Sequence, residues 1–471
     1  MEESNALSMA RQWLMAGETE RALSTVRRQL DDATATGRGL EHAQFDLAWV
    51  LAWTEQFDEA FKAFEKSHDF IPEADDPRAL LYLRSLRDHG LLLAEHGRIE
   101  EACHWLKKVW EETGRLAGTM GPEQALLAEP LAQVLLSLGE LENASKILEE
   151  AQPILEGIGH ERLPGLLALR AEALGALEKP PFANMPDLTE KGIELLFQHL
   201  ANRSDESDPV VMERVYQAGV EWLQKTLPAS SILAAALGTL AGLSGSVGDV
   251  TRQVSAIDQA IEIYRDRKED GFAIQALQGR ALALAEAGDD RNSEADYIAA
   301  LDQASQASSL PLMSQIARNI GRFLSDRNRL DEATHYYQKA IEWAREAAHP
   351  EITGKALTAW GLFLAHQGNI SRAKIVLNEA IDLLPNHDNH ATAAKDHLEA
   401  IAEGKACVCL DQIQVMAREL RRKVLRALPP RTARSVDVSV DSGEFHLELD
   451  LVRPLSAGEE AELQRILRND Q

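Results

Sequence analysis

The chain has 471 residues, 45% of them hydrophobic but only 5% aromatic, and a formal net charge of -26. That apolar content excludes wholesale disorder. The acidic excess disfavours nucleic-acid binding by the bulk of the chain, because it repels phosphate; it keeps a long surface solvated or faces a basic partner. Cys103, Cys407 and Cys409 are too few for a disulfide framework. Met1–Ala10 lacks a basic-then-apolar signal, and no apolar run approaches the roughly 18 residues of a membrane span. Together these features predict a cytoplasmic protein with no membrane contact.

Taken in chain order, GETERALSTV (from Gly17), EQFDEAFKAF (from Glu55), GRIEEACHWL (from Gly97), GELENASKIL (from Gly139), GDVTRQVSAI (from Gly248), GDDRNSEADY (from Gly288), NRLDEATHYY (from Asn328) and GNISRAKIVL (from Gly368) share one layout. Most open with glycine; a small or polar residue stands five positions on and a bulky one four later. Asn328 replaces glycine sensibly, since asparagine is the next residue best able to take the left-handed conformation at a helix end. The step is 40 residues from Gly248 to Gly288, Asn328 and Gly368, and 42 from Gly97 to Gly139. Forty residues hold two helices of about 16 residues and two short turns.

Each unit therefore reads as a helical hairpin. In the last, Leu357, Trp360, Gly361 and Leu364 recur at helical spacing before the turn, and Ala373, Leu377, Ala380, Ile381 and Leu384 after it, with Pro385 as the stop. Gly361 and Ala373 are expected where two helix backbones approach closely.

These residues resemble the tetratricopeptide repeat. Gly361, Ala373, Leu377, Ala380 and Pro385 match its pattern in full, as do Ala48, Ala60, Phe64, Ser67 and Pro72; Gly321, Ala333, Tyr337 and Ala340 match without the proline. Gln253 departs from it where a small residue belongs. The units exceed the usual length of about 34 residues and look like the long-helix variants of kinesin-light-chain-like and signalling arrays. The resemblance covers roughly residues 4–150 and 230–400. It implies an all-α, right-handed α-solenoid that binds another protein, a peptide segment or a folded domain, on the concave wall formed by its first helices.

The phase breaks between Gly139 and Gly248. Arg162–Leu177 reads as a first helix, EKPPFANMPDL forbids helix through Pro180, Pro181 and Pro186, Leu188–Leu200 resumes it, and Met212–Leu227 follows a polar linker. This is a decayed repeat with an inserted loop, or a hinge between two halves. Beyond residue 403 a helix over Leu410–Leu428 precedes two strands, Val436–Val440 and Phe445–Leu451, turned at Ser442-Gly443. A last helix is capped by Ser456 and Glu459. A lone hairpin is marginal in water, so this α-β-β-α appendage must pack on its helices, dimerise or lend a strand edge. The expected divisions are residues 1–160, 161–228, 229–402 and 403–471.

For chemistry the sequence offers little. Cys407 and Cys409 with His397 lack the second pair that zinc needs; Asp437, Asp441, Glu444, His446, Glu448 and Asp450 cluster on one face of the hairpin and could bind a metal, but alternation alone predicts this solvated face. Nucleotide-binding, hydrolase and metalloprotease motifs are missing, so no enzyme and no cofactor are expected. The partner-binding candidates lie on first helices: Trp49 and Trp53, Arg84 and Arg87, then Arg318, Asn319 and Arg322. Arginine recognises carboxylates bidentately and tryptophan anchors side chains, although the two tryptophans could equally be core. Asn319 falls at a position of the family's carboxylate clamp, but Gln278 and Leu282 replace the preceding pair, so that clamp is not carried over. The basic run 418–434, with Arg421, Arg422 and Arg426, contacts nucleic acid or an anionic membrane, or else docks on the acidic array or is simply solvated. The favoured function is a non-catalytic scaffold or adaptor. Alternatives are a regulatory subunit holding a protease, transcription factor or toxin, and a nucleic-acid-associated subunit acting through 418–434.

Overall fold

The computed structural model describes residues 4–73, 76, 78–117, 121–385, 387–402, 420–421, 423–441 and 444–469. The chain divides into two compact units, Met1–Arg203 and Ser204–Gln471.

The first unit is helical throughout: α1 (Asn5–Met15), α2 (Thr19–Thr36), α3 (Leu40–Trp53), α4 (Phe57–Ser67), α5 (Ala79–Glu95), α6 (Ile99–Ala117), α7 (Pro122–Ala125), α8 (Ala128–Ser137), α9 (Leu141–Gly157), α10 (Leu163–Ala176) and α11 (Glu190–Ser204). The second continues with α12 (Pro209–Thr226), α13 (Ser231–Ser246), α14 (Val250–Asp266), α15 (Asp270–Ala287), α16 (Asp290–Gln306), α17 (Leu310–Ser325), α18 (Leu330–Glu346), α19 (Pro350–His366), α20 (Ile370–Leu383) and α21 (Asn389–Ala402). Successive helices pair as hairpins, α17 with α18 and α19 with α20 most extensively. The predicted turn residues are left-handed, from Gly97 (φ +73°) and Gly139 (+74°) to Gly248, Gly288 and Gly368, and Asn328 (+57°) substitutes for glycine as expected.

The returning turns, from each second helix to the next first helix, also pass through left-handed residues, at Lys268 (φ +59°), Ser308 (+52°) and Ala348 (+51°), again 40 apart. Nothing in those residue types signals it. A Cβ in that conformation costs roughly 1–2 kcal/mol, against which glycine loses about 0.5–1 kcal/mol of chain entropy on folding. Ala348→Gly is therefore expected to stabilise the second unit by roughly 0.5–1 kcal/mol. A denaturation midpoint at or below that of the parent protein would refute this.

The predicted alanines Ala22, Ala60, Ala102, Ala144, Ala333 and Ala373 are all fully buried. Gly361 lies where the facing helix comes close, with the Leu377 backbone N 3.5 Å from where its Cβ would be. A Cβ there would lie 2.6 Å from Leu377 Cδ2, and the same relation holds for Gly90 with Leu106 (2.9 Å) and Gly321 with Tyr337 (3.0 Å). The bulky residue of each second helix lies in the gap left on the first. The misfit at Gln253 is absorbed by Gly245, where a Cβ would meet the Gln253 amide at 2.6 Å.

The broken-phase region is folded, up to Arg203 in the first unit and from Ser204 in the second. Every residue of α10 from Leu163 to Gly175 is buried. The proline-bearing loop packs back over it, with Arg170 Nη1 donating to the Ala183 carbonyl (3.0 Å) and Phe182 stacked on Phe197 of α11 (5.9 Å). The α11 helix runs four residues beyond the expected Leu200, pairing Arg203 with Glu172. Asp208 then caps α12, accepting from the Val210 N–H, with Pro209 at the first helical position.

The tail is built as predicted where it is described. Residues 423–427 are helical, β1 (Ala433–Asp441) and β2 (Glu444–Leu451) pair antiparallel with Val436 opposite Leu449 and Val438 opposite Leu447, and α22 (Ala457–Asn469) closes the chain. The capping box forms, with the Ser456 N–H donating to Glu459 (2.7 Å) and the Glu459 N–H to Ser456 Oγ (3.4 Å). Leu420, Val424, Leu428, Ala433, Val436 and Leu463 form its small core. The predicted turn Ser442-Gly443, Cys407, Cys409 and most of the predicted helix from Leu410 lie outside the described residues.

Candidate partner-binding grooves

The first helices α1, α3 and α5 wall an open groove of ≈ 760 Å³ in the first unit, and Trp49, Trp53, Arg84 and Arg87 all line it. Spacing of four on α3 puts both tryptophans on one helix face. They stack at 5.3 Å between ring centroids; Trp53 is 56% exposed, while Trp49 lines the groove and also packs against the core. Sequence reasoning missed Arg11 of α1, whose guanidinium lies 4.3 Å from the Trp49 ring centroid. Arg87 pairs with Asp88 (2.8 Å), whereas Arg84 is exposed and makes no ion pair among the described residues. Asp46 is buried in the floor and accepts from Ser4 Oγ. The wall thus offers a broad aromatic surface beside an available guanidinium.

A second groove, ≈ 490 Å³, lies in the second unit between α17, α19 and α21, and there Arg318, Asn319 and Arg322 come together with Phe363, His366 and His390. Burial, and then the neighbouring Arg322 charge, hold the Arg318 pKa below its ordinary value. His390 is likewise lowered, first by burial and then by Arg318, despite Asp388 at 3.3 Å. Asn319 donates to Gln278 (3.1 Å), a residue of the preceding first helix. This groove is cationic and partly desolvated.

The basic run of the tail is taken up in contacts within its own unit. Arg421 Nε donates to the Val436 carbonyl (2.9 Å) and Arg426 Nη2 to the Glu286 carbonyl at the end of α15 (3.0 Å). Arg431 holds Glu213 of α12 (2.7 Å) and Arg434 holds Asp208 (2.5 Å). Arg422 lies outside the described residues. Among the described residues no three His, Cys, Asp or Glu side chains are placed to hold a metal, and no helix is long and apolar enough to cross a membrane.

Helical hairpins repeating in phase, with first helices forming groove walls, define a helical repeat protein. A family model described as tetratricopeptide repeat matches residues 315–349, across the α17–α18 hairpin. No curated protein matches the chain. Solved structures similar to it include nearly identical TPR-like repeats of a Podosopora anserina kinesin light chain, 18% identical over 43% of this chain and 95% of that one, with a TM-score of 0.33. Pseudomonas aeruginosa pilF is 20% identical over 49% of this chain and 94% of that one (TM-score 0.28). The C-terminal part of a TPR repeat-containing protein of Cytophaga hutchinsonii is 10% identical over 62% and 98% (TM-score 0.33).

Proposed function

We propose that this protein is a non-catalytic interaction scaffold whose first-helix grooves hold another protein. The observation that carries the reading is the exposed Trp53, stacked on the half-buried Trp49 beside Arg84 in an open groove. Leaving a large aromatic surface in water is unfavourable unless a partner covers it, and Trp and Arg are the side chains that dominate interface energies. The unpaired guanidinium favours a ligand with a carboxylate next to an apolar anchor. The second groove supports the same reading for another part of the partner, because Arg318 is a desolvated cation beside apolar wall.

A photocrosslinker placed at position 53, 84 or 322 is expected to capture the native partner, and one at the exposed Lys146 of α9 is not. Trp53→Ala with Arg84→Ala is expected to weaken capture by about 3 kcal/mol, or about a hundredfold, with an unchanged helical spectrum. Capture confined to crosslinkers in the tail would sink the groove reading.

A further inference from the structure

We infer that the free edge of β2 is a docking site for an extended, basic segment of a partner protein, added as a third strand of the tail sheet. The two strands of that sheet are unequally finished. Val436 of β1 is 1% exposed, whereas Leu447, Leu449 and Leu451 of β2 are only partly buried against the same core. Val438 of β1 is only partly buried too, so the apolar layer is open along β2 and at one position of β1. The backbone is more clearly unequal. Arg421 donates to Val436 of β1, and Arg434 reaches the terminal Leu451 carbonyl (3.3 Å), but from residue 444 to 450 the outer edge of β2 receives no hydrogen bond from another element among the described residues. An eight-residue edge of this kind is a template for backbone pairing.

Charge selects the occupant. On the solvent face Asp437 and Glu448 stand directly opposite each other across the ladder, both exposed, and neither has an ion pair among the described residues. Like charges at opposed positions destabilise a hairpin. Lysine or arginine on a third strand, next to Glu448, relieves that repulsion. Apolar residues at the alternate positions would extend the layer of Leu447 and Leu449. A second copy of β2 fits poorly by comparison, since it brings another Glu448 and Asp450 to the same face.

The test uses the full chain and three synthetic octapeptides: alternating Lys and Val, the same composition in blocks, and alternating Glu and Val. The alternating basic peptide is expected to slow amide exchange across residues 446–451 about tenfold, and the other two to leave it unchanged. Asp437→Lys with Glu448→Lys, both solvent-facing and outside the core, is expected to abolish that protection and transfer it to the Glu-Val peptide. Three results overturn the inference. One is exchange at β2 indifferent to all three peptides. Another is protection that rises with protein concentration alone, which assigns the edge to a second copy. The third is protection complete at every dilution without peptide, which assigns it to this chain's own segment.

Discussion

Replacing Glu213 by alanine is expected to cost the second unit about 3 kcal/mol and to release the tail from it. Glu213 has no exposed side-chain surface, yet it sits between two arginines. Arg431 of the tail reaches it through Nε (2.7 Å) and Nη2 (3.0 Å), Arg252 of α14 through Nη1 (2.7 Å), and Ser244 Oγ at 3.3 Å completes the set. A carboxylate removed from water is tolerable only with its charge and lone pairs satisfied, and breaking such a cluster from one side costs about 3–5 kcal/mol. The lower end applies because Arg252 and Arg431 are 29% and 38% exposed and recover water when the acid is lost. Arg431→Ala is milder, roughly 1 kcal/mol, because Arg252 and Ser244 still hold the acid. Denaturant unfolding gives the energies, and amide exchange across residues 433–441 reports undocking. An E213A protein that unfolds like its parent with a protected β1 would show that the cluster holds nothing.

The cost of that cluster also shows where sequence reading stops. The hairpins were legible because their signals are local: a 40-residue step, a left-handed glycine or asparagine, and apolar stripes at helical spacing. The grooves were half legible. Trp49, Trp53, Arg84 and Arg87 converge because the first helices α3 and α5 turn the same face inward, but Arg11 joins them through the placement of α1 over the Trp49 ring, which no spacing encodes. The left-handed turns at Lys268, Ser308 and Ala348 were illegible, since tertiary packing there overrides residue preference. The partner of the basic run was beyond local reasoning too. Arg431 and Glu213 are 218 residues apart, and a cluster of arginines reads the same whether it meets phosphate or a buried carboxylate.

Acidification from pH 7.5 to 5 is expected to remove about 4 kcal/mol from the first unit through two histidines alone. His68, at the end of α4, and His89, on α5, are 5% and 1% exposed, and their rings share a hydrogen bond of 3.1 Å between Nε2 and Nδ1. One ring must donate and the other accept, so the pair cannot hold two imidazolium rings. Phe64 stacks on His89 at 5.6 Å and Trp105 lies against both rings, at 4.4 Å and 5.1 Å, so a charge there would face mainly aromatic rings. Burial is the main cause that lowers His68 to about 4, helped by Lys108 and opposed by Asp69. It lowers His89 to about 3, helped by His68 and Arg98 and opposed by Glu101. Both folded values lie below the unfolded value near 6.5, so the unfolded chain takes protons first as the pH falls. The stability is complete above pH 6.5, declines by up to about 1.4 kcal/mol per unit for each histidine below it, and is exhausted only as the folded rings themselves titrate. Most carboxylates titrate below pH 5, which isolates the window. His68→Leu with His89→Phe should flatten the wild-type slope between pH 6.5 and 5. If the double variant loses stability as steeply as its parent, the pair is not the acid-sensitive element.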